Sequence, residues 1–186
     1  MLSIVQAPAS VLSTPAKRIG KIDKDIKNII NDMTDALVKA TSPEGIGLAA
    51  PQVGKSLQLF IIKESPKDPL LVFINPELTI PKGQSLLPTD NEKGRKEKEV
   101  KLEGCLSLQD VWGVVNRYPE IGLTYQDATG KSHTKHFDGF LATIIQHEYD
   151  HLQGILFPRR VLEQKGKLYK SVKDAKGETE FEEISL

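Results

Sequence analysis

The pentapeptide His147-Glu148-Tyr149-Asp150-His151 constrains this chain more than any other stretch. It lies inside a segment that reads as a helix, with Asp138 as N-cap and Gly154 placed as the C′ residue. On a helix, residues four apart share one face with Cβ atoms about 6 Å apart, so both imidazoles can reach a single metal ion. Two ligands are set by spacing alone, and the fold must bring a third to the same face if the ion is to keep an open position. Glu148 stands one step round from His147, where its carboxylate can take a proton from a bound water and later return it. Phe140 and Ile144 continue the stripe toward the helix start, making the neighbouring wall apolar and fit for an apolar substrate side chain.

No His or Cys follows His151, so the third ligand must come from upstream. The single cysteine, Cys105, stands in Glu103-Gly104-Cys105-Leu106-Ser107, a turn-like stretch leaving a strand. A lone buried thiol is usually inert. Here one thiolate and two imidazoles would hold a divalent ion with a fourth position left for water, a donor set that accepts Fe(II), Zn, Ni or Co. His133 and His136, spaced H-x-x-H on a polar hairpin, are the spare imidazoles and the weaker candidates. Two rival functions stay open. A general H-E-x-x-H metallopeptidase wants a downstream third ligand, and a binding module built round a structural metal wants a closed four-ligand site.

The rest of the chain frames this helix. Its 25 basic and 25 acidic residues cancel over 186 positions, which disfavours DNA and anionic membrane surfaces as partners. No apolar window approaches the length of a membrane span, and with one cysteine and no signal-peptide pattern the expected compartment is a reducing bacterial cytoplasm rather than an organelle. Apolar residues at three- and four-residue steps predict an amphipathic helix over Ile22–Ala40 with Asp23 as its cap. Gly45–Gly54, GIGLAAPQVG, reads as an unusually apolar, buried loop. Strands are expected at Leu57–Lys63 and Leu70–Pro76, and a hairpin over Glu120–Phe137. The charged stretch 82–99 reads as a solvated loop insertion. Beyond Pro158 the pattern is again that of a hairpin, turning at Asp174 and Gly177. The expected fold is a single α+β domain over 1–186, with antiparallel strands around the His-Glu-x-x-His helix, a second N-terminal helix and a strand-like tail.

GIGLAAPQVG, EGCLS and QHEYDH, in this order, resemble the three motifs of peptide deformylase, a metal-dependent amidohydrolase family that removes the formyl group from formyl-methionine at the start of newly made proteins. The resemblance implies Cys105, His147 and His151 as metal ligands, with Fe(II) as the native ion. It implies that a water activated there attacks the formyl carbon with Glu148 as base and then acid. Gln52 and the Leu106 backbone N–H would form the oxyanion hole. Gly45-Ile46-Gly47 would pair with the peptide main chain, Ile46, Phe140 and Ile144 would line the first side-chain pocket, and Glu103 is the charge nearest to it. Glu44 and Arg117 look like the family's buried support pair. The partners implied are N-formyl-Met nascent peptides. A transient ribosome contact is compatible with this, although the helical tail credited with docking in some relatives is not seen here. Trp112 also departs from the pattern: many relatives carry an Arg seven residues after the cysteine.

Overall fold

The computed structural model describes residues 2–41, 45–65, 67–88, 102–174 and 177–185. Eleven strands and three α-helices are defined among them. Helix α1, Lys24–Lys39, begins at Asp23, whose carboxylate accepts from the Asp25 and Ile26 N–H groups and so meets two of the donors that a helix start leaves without partners. It buries Ile26, Ile30, Met33 and Leu37, one apolar face of a 3.6-residue period.

That face lies on a five-stranded antiparallel sheet with the order β1 (Gly47–Ala49), β2 (Leu59–Ile62), β3 (Leu71–Thr79), β8 (Glu120–Gln126) and β9 (Ser132–Asp138). Side chains alternate between faces along a strand, so β2 serves two cores at once. Leu59 and Ile61 join the α1 side, while Phe60 and Ile62 join the other side, with Phe73, Ile121 and Leu123. Against that second side packs helix α2, Gly139–Leu152, through Ala142, Ile145 and Leu152. The sheet is therefore covered on both faces, which explains the unbroken apolar run of β2.

A smaller antiparallel sheet has the order β11 (Thr179–Glu183), β10 (Leu168–Lys173), β6 (Leu108–Gly113) and β5 (Glu103–Cys105). Strands β4 (Leu87–Pro88) and β7 (Asn116–Arg117) form a separate pair. The β10–β11 hairpin turns where the sequence places it, with the Gly177 N–H donating to the Asp174 carbonyl.

Three expectations need amendment. The tail is not strand alone: Phe157–Glu163 forms a short helix, α3, in which Pro158 sits in the first turn, where a missing N–H costs nothing. Phe157 and Val161 bury one turn of it against the smaller sheet. The GIGLAA stretch is not a loop throughout, since Gly47–Ala49 pairs with Phe60–Ile62 before Ala50–Val53 turns as a 3-10 helix. Asp138 precedes α2 in position but makes no side-chain cap, whereas Gly154 holds φ +69° just past its end, as a C′ glycine does. Of the 82–99 stretch, residues 82–88 are described and end in the β4 pairing; 89–99 lie outside the described residues, as does Glu44.

Candidate metal centre and cleft

Helix α2 contributes both imidazoles, and β5 delivers Cys105 from the smaller sheet. One ligand atom each from Cys105, His147 and His151 lie within 4.8 Å of one another. Cys105 Sγ is 3.3 Å from His151 Nε2 and also receives the Gln52 side-chain N–H₂ and the Ser107 backbone N–H, each at 3.4 Å. His133 and His136 are elsewhere: His133 bonds Asp127 at 2.7 Å and His136 lies 3.5 Å from Glu120.

His147 is oriented from behind. His147 Nδ1 is 3.0 Å from Glu103 Oε2. Burial alone would raise the Glu103 pKa, but the Arg117 guanidinium and the His147 contact hold it at about 2. The carboxylate is thus the acceptor and Nδ1–H the donor, which leaves His147 Nε2 free to face the sulfur and an ion. Burial would lower the His147 pKa, yet the Cys105 and Glu103 contacts raise it. The anions around this ring favour positive charge at that spot, which a divalent ion supplies. His151, 1% exposed, has its pKa lowered by burial and by the positive charge at His147, so it stays neutral, the form in which imidazole binds metals. The donor set and the spacing together fit a divalent cation.

Arg117 ties the site to the back of α2. Its guanidinium forks onto Glu103 at 2.8 and 2.9 Å and reaches Asp150 at 2.6 Å, and Asp150 also receives Arg160 at 2.6 Å. Burial works against the Arg117 charge, but the two carboxylates raise its pKa above the ordinary value. Nothing in the sequence singles out Asp150. Its position beside His151 puts it on the far face of the helix, and no periodicity shows that a buried Arg waits there.

Glu148 is 3% exposed and its Oε2 has no hydrogen-bond partner among the described residues. Burial pushes its pKa to about 7, with His147 and Arg117 opposing the rise. The other oxygen lies so close to β1 that a Cβ at Gly47 would collide with it. Gln52, 1% exposed, accepts the Ala49 N–H with Oε1 at 2.8 Å, so its N–H₂ must face the sulfur.

These groups line a cleft of about 320 Å³ with Ile46, Gly47, Leu102, Leu106, Trp112, Phe140 and Ile144. Glu103 borders it but is engaged by Arg117 and His147. Ile144 is buried, whereas Phe140 is 51% exposed at the edge. Gly45 faces away from the cleft, where a Cβ would strike the Leu37 carbonyl at 2.7 Å. An N-terminal arm, unforeseen in the sequence, strings the three motif segments together: Val5 N–H donates to Gln52, Ala7 N–H to Ser107, the Gln6 side chain to the Leu106 carbonyl, and Ala16 N–H to Leu152. At its far end a Cβ on Gly154 would meet the Ser13 backbone at 2.7 Å.

With this geometry in place, comparison with known proteins gives one family. Residues 1–167 match the family described as Polypeptide deformylase. A peptide deformylase of Synechococcus is 40% identical over 162 residues, covering 86% of this chain and 72% of the relative. Peptide deformylase 1 of Bacillus cereus is 35% identical, covering 87% of this chain and 92% of its own length. Among solved structures, a peptide deformylase from Synechococcus elongatus in complex with actinonin superposes with a TM-score of 0.72 at 37% identity, covering 86% of this chain and 78% of that one. The peptide deformylase from Thermotoga maritima gives 0.70 at 30% identity, covering 86% and 97%.

Proposed function

The chain belongs to the polypeptide deformylase family, and on that premise we propose that it hydrolyses the formyl amide at the N-terminus of formyl-methionine peptides. The observation that carries this reading is the meeting of Cys105, His147 and His151 within 4.8 Å of one another, beside a buried Glu148 carboxylate oxygen that has no hydrogen-bond partner among the described residues. When bound by these three ligands, a divalent ion supplies Lewis acidity toward a water and toward the formyl oxygen. Fe(II) is the ion that the family resemblance favours.

The chain's own residues do the rest. Glu148 takes a proton from the attacking water and delivers it to the departing amine. A carboxyl with a pKa pushed up to about 7 is matched to both halves of that transfer near neutrality. Gln52 N–H₂ and the Leu106 backbone N–H donate to the formyl oxygen as it gains charge, each worth about 3 kcal/mol of barrier if well aimed. Glu103 fixes the ring plane and tautomer of His147. The edge that runs through Ile46 into β1 at Gly47 pairs with the peptide main chain, and Ile46, Phe140 and Ile144 receive the methionine side chain, whose burial contributes about 2 kcal/mol. No helix among the described residues is long and apolar enough to cross a membrane, and we place the reaction in the cytoplasm on nascent peptides.

Anaerobic purification followed by metal analysis and a formate-release assay on formyl-Met peptides tests the reading. Stoichiometric divalent metal with turnover is expected, and both should fall together in Cys105→Ser. Stoichiometric metal in the wild-type protein without formate release would overturn it.

A further inference from the structure

Strands β10 and β11 lie beyond the stretch 1–167 that matches the family. They pack behind a residue that lines the cleft. Strand β10 sets Tyr169 opposite Trp112 of β6, and β6 in turn sets Trp112 opposite Gly104 of β5. The six-membered ring of Trp112 lies over Gly104 because no side chain stands there: a Cβ would sit 2.7 to 3.0 Å from Cζ3, Cε3 and Cη2. The indole therefore rests one residue from Cys105 and lines the cleft with Leu102 and Leu106. Its other flank meets the Phe181 ring of β11, edge to face at 79° with centroids 5.8 Å apart. Phe181 is 46% exposed and belongs to none of the three cores, and Trp112 is its ring partner among the described residues.

We propose that Trp112 is a specificity-determining residue for the part of the peptide downstream of the formylated residue, and that Phe181 is the positioning residue that holds its ring. An indole wall favours an aromatic side chain by ring contact and burial, and it disfavours a carboxylate, which loses hydration there without a partner. The inference deepens the deformylase reading and rests on it.

Trp112 is the only tryptophan in the chain, so intrinsic emission reports on this ring alone. The holoenzyme is assayed with formyl-Met tripeptides carrying Phe, Ala or Asp at the second or third residue. Binding is followed by emission in the Glu148→Gln holoenzyme, where turnover is suppressed. We expect kcat/KM for the Phe peptides to exceed that for the Asp peptides roughly tenfold at one of the two positions, with the emission shifting as Phe peptides bind. Trp112→Ala should bring that ratio close to one. Phe181→Ala should red-shift the free emission, increase its quenching by acrylamide and lower the ratio through KM, and Phe181→Tyr should restore all three. Equal kcat/KM for Phe and Asp peptides in the wild-type enzyme, or an emission unmoved by peptide, would overturn the proposal even if Trp112→Ala does not fold. A shift in emission with no turnover of any formyl peptide would instead overturn the deformylase reading and leave Trp112 in a peptide cleft.

Discussion

Helices α1 and α2 cover opposite faces of one sheet, yet they are held by different physics. Helix α1 buries four apolar side chains and turns its charges to solvent. Helix α2 buries Ala142, Ile145 and Leu152 against the same sheet, and it also buries Gln146, Glu148, Asp150 and His151. The first helix is stabilised by area removed from water. Behind the second helix charge meets charge, from His147 through Glu103 and Arg117 to Asp150 and Arg160, while the buried Glu148 carboxyl stands apart from that chain. A residue lost from α1 leaves a hole, whereas one lost from the network behind α2 leaves a charge without its counterion.

The sharpest division between the helices is in chemistry. Glu148→Gln keeps the shape of the buried carboxyl but removes the proton acceptor, so kcat should fall by roughly two to four decades with metal content near that of the wild-type protein. No substitution on α1 should separate metal content from turnover in this way, and a Glu148→Gln enzyme with more than a tenth of wild-type kcat would erase the distinction.

Stability should divide along the same line. Arg117→Met removes the guanidinium that Glu103 and Asp150 share, leaving Glu103 only the His147 contact and Asp150 only Arg160, and should cost about 3–5 kcal/mol. Met33→Ala, in the fully buried apolar seam of α1, should cost about 2–5 kcal/mol through lost transfer energy and a cavity. Urea unfolding measures both, and pH separates them. The Met33→Ala loss should be constant with pH, while the Arg117→Met loss should shrink as the two carboxylates become protonated. Parallel losses at all pH values would mean that the network behind α2 is packing rather than charge.

Acid offers a gentler version of that experiment. The folded-state pKa of Glu103 is lowered from 4.5 to about 2, so between those values the folded chain holds fewer protons than the unfolded one. Its stabilising contribution is complete above about pH 4.5 and is lost as the pH falls toward 2. Chelator-treated wild-type protein should lose urea resistance through this window more steeply than Glu103→Gln. Identical acid limbs would show that the carboxylate is not held ionised by Arg117.

The smallest contrast lies at the helix starts. Asp23→Ala removes two cap hydrogen bonds from α1 and should cost about 1 kcal/mol. Asp138→Ala removes none from α2 and should cost only a few tenths. Urea midpoints of the two variants measure the difference, and equal losses would mean that the two starts are held alike.

Helix α1 is legible in the sequence because periodicity and a cap suffice to define a helix buried on one face. The chemistry of α2 is legible because two imidazoles four residues apart and a lone upstream cysteine make up a donor set that suits a divalent ion. Hidden are the features that depend on partners far away in sequence. Asp150 reads as an ordinary helix polar residue until Arg117 is seen against it. Pro158 reads as an end to helix although its first-turn position lets it begin one. Strand β1 escapes because it is three residues long and opens on a glycine, which weakens its strand propensity, and only pairing to Phe60–Ile62 makes it a strand. Glu103 reads as a charge beside the pocket, since its ion pair with Arg117 spans fourteen residues that no local pattern connects.

The N-terminal arm has a consequence for the order in which the enzyme comes into being. Synthesis delivers residues 5–16 well before their backbone partners at Gln52, Ser107 and finally Leu152. The arm must wait, largely without these partners, until α2 has been made. Until Leu152 and Gly154 emerge its ties are incomplete, so a segment made early is secured only by segments made late.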